Sequence, residues 1–560
     1  MLHGWSWTRL SDYNSPMRSE DRERLLVDVQ SRLLASLGGL DGLRYQDILA
    51  DSVYHETRRL KEESDLKERE EGLNFFNGIR REINHNSAHG HKDALAQVVS
   101  RYAREICGNF DERVYRMATR VGPAALGLLV NAVSPKRLLT RFPQLPGLDQ
   151  ALVIQGETEH LRRLHELGTV VMVPHHVSNL DSLVLGFAVY RLGLPPLIYG
   201  AGLNLFSNPL ISYFMHNLGA YTVDRRKTCP LYKQVLKEYA TLTLEYGYDN
   251  LFFPGGTRSR SGAIERYLKL GLAGTGLQAF INNVKRQKER SKIFFVPTTL
   301  SFQLVLEAET LIDDFLKEVG KSRYIISDDE FSKPARILDF MNQGMDLHSK
   351  IYVTFGRGCD PFGNPVDDNG VSLDPRGRSI DINRYILSGD DYVSMPGRDR
   401  EYTNEVGERI KEAFTSDNVV QSTNVAARCV FEILRSSNRQ MDLMRLLRLG
   451  GSEDNFELRD VYRAMDALMK TLRELEGRGG IRLAPDIRHA PADDVMADAL
   501  RHFAIYHQKR AIYRKGDRLF IGDRSLLFYY QNRLEGYDLE QRLGLRPALA
   551  PNHRQIQGAA

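Results

Sequence analysis

Residues 169–193 read TVVMVPHHVSNLDSLVLGFAVYRLG. The run TVVMVP is apolar, rich in β-branched residues and closed by Pro174, which suits a buried strand. The apolar positions after Asp181 are spaced for a helix, and HHVSNL lies between the two as a turn. His176 and Asp181 stand five residues apart. On an α-helix that separation is about 500° of rotation, so the pair could not share a face. At a strand-to-helix junction the turn can instead fold the imidazole back onto the carboxylate. The stretch therefore predicts a strand ending at Pro174, a helix starting near Asp181, and a His–Asp pair at the junction.

The same texture continues on both sides. PPLIYG, AYTVD, NLFFPG, IFFVPTTLSF and IYVTFG read as further strands, with EHLRRLHELG and LYKQVLKEYATLTLEYG as helices. Strands alternating with helices predict an α/β layered domain over residues 151–360. Before it, Tyr45, Ile48, Leu49, Val53 and Leu60 recur at helical spacing, so residues 1–150 read as a mostly helical region. LKEESDLKEREE within it reads as a solvated helix face. Residues 361–400 are dense in Gly, Pro, Asp and Asn and read as a linker loop, and no internal repeat is read anywhere along the chain. Residues 401–560 read as a mostly helical C-terminal domain, with a hairpin turning at Gly516-Asp517.

Composition sets outer bounds. A chain of 560 residues with 42% hydrophobic and 26% charged residues is globular and has room for two or three domains. Its four cysteines lack paired spacing, so they read as buried thiols of a reducing compartment. The formal charge of +4 is small and the basic loops lack interleaved aromatics, which argues against a nucleic-acid partner. The first residues show no long apolar core of a signal peptide, so secretion is not expected. Residues 192–223 contain no Asp, Glu, Lys or Arg, yet Pro195, Pro196 and Pro209 break any spanning helix. A surface that touches a membrane, or lines an acyl pocket, is the expectation for that run; LVLGFAVYRLGLPPLIYG is open between a tunnel wall and ordinary core.

An aspartate that accepts from one imidazole nitrogen fixes the tautomer and leaves the other nitrogen free to take a proton from a hydroxyl. His176 and Asp181 are thus a candidate general base and its orienting acid. No Ser or Cys stands nearby at nucleophile-elbow spacing, so attack by a substrate hydroxyl is simpler than a covalent enzyme intermediate. FFPGGTRSRSG, residues 252–262, follows a strand and offers glycines, hydroxyls, Arg258 and Arg260, which suit a phosphate. LGAYTVDRRK supplies Arg225, Arg226 and Lys227 as a second source of cations. The histidines lack a credible ligand cluster, so no metal and no cofactor is implied.

HHVSNLD, AGLNLFSNPLISYFMHNLGAYTVDRR, FPGGTRSRSG and VPTTLSFQLVLEAETLI stand in the order and approximate spacing of four motif blocks, and in this the chain resembles the glycerolipid acyltransferase superfamily. KIYVTFG and LLFYYQNRL resemble its glycerol-3-phosphate acyltransferase branch. The resemblance implies that His176 deprotonates the sn-1 hydroxyl of glycerol 3-phosphate while Asp181 orients it, with acyl-CoA or acyl carrier protein as donor. It also implies that Gly219 and Arg225 of the second block, Gly256, Arg258 and Ser259 of the third, and Pro297 of the fourth shape the site and bind the phosphate. One position departs from the pattern. The third block carries a glutamate before its glycine, and Gly255 stands there, with Glu265 a candidate replacement carboxylate. His175 either contacts the thioester or packs. The implied setting is the cytoplasmic face of a membrane, with the lipid surface as partner. Rival readings are the same chemistry on dihydroxyacetone phosphate or a lysophospholipid, and a catalytically inactive membrane-associated protein.

Overall fold

The computed structural model describes residues 19–38, 42–85, 88–115, 151–202, 212–213, 217–319, 349–448, 454–505, 507 and 509–542. Helices α1 (Ser19–Leu37), α2 (Gly42–Lys61), α3 (Leu66–His85) and α4 (Ala88–Ile106) open the chain. Leu49, Val53 and Leu60 are buried at the helical spacing read from the sequence. They join a core that also takes Tyr221, Tyr232 and Tyr239 from the α/β layer, so this helical group is packed onto the next region.

That region holds β1 (Leu152–Gly156), α5 (Thr158–Leu167), β2 (Thr169–Pro174), α6 (Asp181–Arg191), β3 (Ile198–Gly202), β4 (Ala220–Val223), α7 (Pro230–Glu245), β5 (Asn250–Leu251), α8 (Ala273–Lys285), β6 (Ile293–Phe302), α9 (Ala308–Val319) and β7 (Ile351–Phe355). The sheet runs β1-β7-β6-β2-β5-β3-β4. Strands β6, β2, β5, β3 and β4 are mutually parallel, while β7 is antiparallel to β6 and pairs with β1 in parallel. Every residue of β2 and β6 is buried, as expected of strands covered on both faces. The chain leaves β2 toward β3 and β4, then returns to place β5 on one side of β2 and β6 on the other. That reversal makes the carboxyl end of β2 a topological switch point, where open α/β sheets hold their ligands.

Residues 357–381 correct one reading. They contain a seven-residue repeat, D-x-x-G, starting at Asp360, Asp367 and Asp374. In each unit the aspartate Oδ1 accepts from the amides two and four residues on, and a glycine at φ of 86°, 65° or 77° closes the turn. Bridges Cys359–Pro365, Val366–Ser372 and Leu373–Ser379 stack the turns, and Asp368 ties the staircase to α5 through His160 Nδ1 at 2.9 Å.

Beyond it come α10 (Pro396–Ser416), α11 (Ser422–Ser437), α12 (Leu458–Gly477 in the larger helical layer), α13 (Ala492–Ile505) and α14 (Arg524–Gln531). The hairpin pairs Ile512–Lys515 with Arg518–Ile521. Phe414, Phe431, Leu468 and Tyr530 belong to the same continuous core as Val173 and Phe295, so residues 401–542 share the core of the α/β layer. All four cysteines are buried and free. Among the described residues no helix is long and apolar enough to cross a membrane, and β3 and β4 take up part of the charge-free run.

Candidate active site

His175 N–H donates to Thr298 O at 2.9 Å, which extends the β2–β6 ladder one residue past Pro174. The chain then turns. His176 Nδ1 lies 2.8 Å from Asp181 Oδ2, and the same oxygen accepts from the amides of Val177 and Ser178 at 2.6 and 3.0 Å. Asp181 is the first residue of α6 and fully buried, but its carboxylate serves the turn in front of the helix. A carboxylate acceptor makes His176 Nδ1 the protonated nitrogen, and Nε2 has no partner among the described residues. The His176 side chain is only 15% exposed, so one edge reaches the site. Phe253 stacks on its ring with centroids 4.0 Å apart. Burial holds the imidazole below its ordinary pKa against the opposing pull of Asp181, and Arg258 and Arg225 push the same way as burial.

The third block closes over this turn. Ser259 N–H donates to His176 O at 2.9 Å, while the Ser259 hydroxyl is used within its own loop, on Ala263 O at 2.6 Å. Gly256 has φ of 72°, a conformation glycine adopts without strain, and a Cβ there would crowd Lys269 at 2.9 Å. Arg258 Nη1 donates to Glu307 Oε1 at 3.2 Å. Glu307 is fully buried and also accepts from Ser178 Oγ and Asn179 N at 2.8 and 2.9 Å, so it fastens the first, third and fourth blocks together. It was not singled out in the sequence, although an acid closing the apolar run SFQLVLE is a signal of a buried structural charge.

The carboxyl of Glu265, the candidate replacement for the block-three glutamate, lies against Gly255. A Cβ built on Gly255 would lie 2.5 Å from Glu265 Cδ. The Glu265 carboxyl group therefore fills the space that a side chain at 255 would enter. Its Oε1 accepts from His176 N–H at 3.4 Å, and Oε2 has no partner at hydrogen-bond distance. Burial pushes its pKa up to about 8, with the amides of His176 and Gly255 opposing and Asp181 adding to the rise.

The three cations after β4 separate. Arg225 has no hydrogen-bond or ion-pair partner among the described residues, and its pKa is lowered by burial and by the neighbouring Arg258 and Arg260. Arg226 pairs with Glu63 at 2.9 Å and with Asp224 at 3.2 Å. Lys227 is buried, 2.5 Å from Glu105 and 3.4 Å from Glu56. These two hold α2 and α4 against the α/β layer and are not a second cation source for a ligand, and Glu63 is correspondingly buried within the run read as solvated. Gly219 sits before β4, at the far end from Arg225, with φ of 89° and its amide on Asn109 O at 3.0 Å, which is a backbone role. Pro297 pairs with Val173 in the sheet and accepts from Gly356 N–H at 2.9 Å, beneath the histidines. His175 is fully buried and its ring packs against Phe414.

Known proteins bear on this arrangement. Residues 155–301 match the family model described as Acyltransferase. A glycerol-3-phosphate acyltransferase of Aeromonas hydrophila is 32% identical over 294 residues, 52% of this chain and 30% of the relative. One of Pseudomonas fluorescens is 26% identical over 295 residues, 52% of this chain and 32% of the relative. The matched part thus spans about a third of the length of these curated relatives. A solved structure, the 1-acyl-sn-glycerophosphate acyltransferase PlsC of Thermotoga maritima, aligns over 53% of this chain and 92% of its own at 14% identity, with a TM-score of 0.24, too low to bear on the fold. Residues 155–301 thus carry an acyltransferase domain, and over about half of its length the chain is similar to glycerol-3-phosphate acyltransferases.

Proposed function

We propose that the protein transfers a fatty acyl group from the thioester of acyl-CoA or acyl carrier protein to the sn-1 hydroxyl of glycerol 3-phosphate, giving 1-acylglycerol 3-phosphate for phospholipid synthesis. The observation that carries this reading is the His176 Nδ1–Asp181 Oδ2 contact of 2.8 Å, with Nε2 open beside Arg225 and Arg258. His176 Nε2 takes the hydroxyl proton as the oxygen attacks the thioester carbonyl. The C–O bond forms, the C–S bond breaks, and the departing thiolate takes the proton back from the imidazolium. Asp181 stabilises that cation and holds the ring, and such a base contributes ~10²- to 10⁴-fold in rate. A lowered His176 pKa keeps the base proton-free at neutral pH. Arg225 repelled by Arg258 and Arg260 is a cation awaiting an anion, and a phosphate relieves that repulsion.

The lipid product and the mild positive charge support a place at the cytoplasmic face of the membrane, held peripherally; co-sedimentation with anionic vesicles tests this. For the reaction, palmitoyl-CoA and acyl carrier protein thioesters are offered with labelled glycerol 3-phosphate to wild type and His176→Ala. Turnover that disappears in the variant supports the reading. A wild type silent with every donor sinks it, and competing dihydroxyacetone phosphate or lysophospholipid in the same assay exposes a different acceptor.

A further inference from the structure

Arg533 follows α14, far outside residues 155–301, yet its guanidinium lies under the catalytic turn. Nη1–H donates to His175 Nδ1 at 3.1 Å, Nη2–H to Leu300 O at 2.6 Å and to Ser301 Oγ at 3.2 Å, and Nε–H to Asn418 Oδ1 at 2.6 Å. All four acceptors are neutral. The side chain is buried, and among the described residues no carboxylate stands within ion-pair distance of it. A guanidinium does not give up its proton in a protein, so this is a buried cation whose desolvation costs several kcal/mol and which an apolar residue of similar volume would avoid.

What that cation obtains is a fixed His175. Because Arg533 can only donate, His175 Nδ1 must accept, so the ring is neutral with its proton on Nε2. The residue is then held at its amide by Thr298 O, at its ring by Arg533, and at its face by Phe414. The next peptide group belongs to His176, whose carbonyl is held by Ser259 N–H. The same C-terminal segment props the third block, since Asn532 Nδ2 donates to Ser261 O at 2.9 Å and Tyr529 O fills the space beside Gly262.

We propose that Arg533 is a positioning residue for acyl transfer: by holding His175 it fixes the turn that presents His176, so the segment after α14 is part of the active site. The inference rests on the proposed reaction, and its test has one arm that does not. In the full chain at pH 7, ¹⁵N-histidine NMR reads His175 as the Nε2–H tautomer; an Nδ1–H form overturns the proposal whether or not the enzyme turns over. In the assay, Arg533→Met lowers kcat ~10²-fold, the scale of a ~1 Å misplacement, with KM for glycerol 3-phosphate within about twofold because Arg533 touches no substrate. His175→Asn keeps an oxygen acceptor near the Nδ1 position and stays within about threefold of wild type. His175→Leu falls as far as Arg533→Met, and the double variant falls no further. A folded Arg533→Met with kcat within threefold of wild type, a loss confined to KM, or a His175→Asn as poor as His175→Leu overturns it. Should Arg533→Met fail to fold, the Asn and Leu variants still decide.

Discussion

The strongest quantitative expectation concerns the carboxylate shared between positions 255 and 265. Removing it in Glu265→Ala takes away the acceptor of the His176 amide, and a lost buried hydrogen bond to an ionisable group costs about 1–3 kcal/mol. If all of that falls on the transition state, kcat drops by ~10- to 100-fold. Gly255→Glu alone must drive a Cβ to 2.5 Å from Glu265 Cδ and bury a second carboxyl in the same space. Its loss should equal or exceed that of Glu265→Ala. The double variant Gly255→Glu/Glu265→Ala returns one carboxyl to the same space, and activity should recover to within about tenfold of wild type. The assay is steady-state transfer to labelled glycerol 3-phosphate, with thermal melts on the same samples. A double variant no better than its worse parent refutes the reasoning. Glu265→Gln separates stability from chemistry. The folded pKa of about 8 exceeds the ordinary 4.5 of a glutamate, so the folded state holds a proton that the unfolded chain gives up as pH rises. Wild type should therefore lose stability between about pH 4.5 and 8, by a few kcal/mol at most. The glutamine variant should lack that loss, so its advantage in Tm should widen as pH rises through the same window.

Two further outcomes follow from neighbouring charges. Arg225→Met should raise KM for glycerol 3-phosphate by ~10- to 100-fold, the worth of one charge-assisted hydrogen bond. Arg225 is one of the cations holding the His176 pKa down, so its removal lets that pKa rise. The acid limb of kcat/KM should move to higher pH, and an unmoved limb with unchanged KM removes Arg225 from the site. Lys227→Met leaves Glu56, 1% exposed, with Arg59 as its remaining counter-ion at 3.0 Å. Urea unfolding should show a loss of about 3 kcal/mol while kcat and KM stay put; a change in KM instead would return Lys227 to the site.

Much of the sheet was legible because its strands carry their own signal. β2 and β6 are apolar from end to end, and Pro174 and Asp181 mark the end of one element and the start of the next. β1 was missed: LVIQG is short and half-polar, and it becomes a strand only because β7 pairs with all five of its residues. The staircase of residues 357–381 was missed for a different reason. Gly, Pro, Asp and Asn are the residues of irregular loops, and composition does not distinguish one turn from three stacked turns. The order does, since each Asp is followed three residues later by a Gly, which puts an acceptor and a left-handed residue where each turn needs them.

The His–Asp pair was readable because its partners lie within a few residues along the chain, and the block-three loop because its glycines, hydroxyls and arginines are adjacent in sequence. Glu265 was half-readable, because the absence at 255 pointed to a nearby acid but only the folded chain shows its carboxyl against Gly255. The cations were not sortable from sequence at all. Arg225, Arg226 and Lys227 are consecutive, and what separates them is Glu63 and Glu105, more than a hundred residues earlier, which claim the second and third. Arg533 is the extreme of the same rule, since 358 residues separate it from the histidine it holds. The His–Asp pair is thus a local feature of the chain, whereas which of the three cations is left without a carboxylate partner among the described residues is decided by long-range packing. It follows that grafting residues 155–301 alone would carry His176 and Asp181 but expose Arg226 and Lys227 without Glu63 and Glu105 and leave His175 without Arg533, so the isolated segment should show the pair without the discrimination that the flanking helices impose.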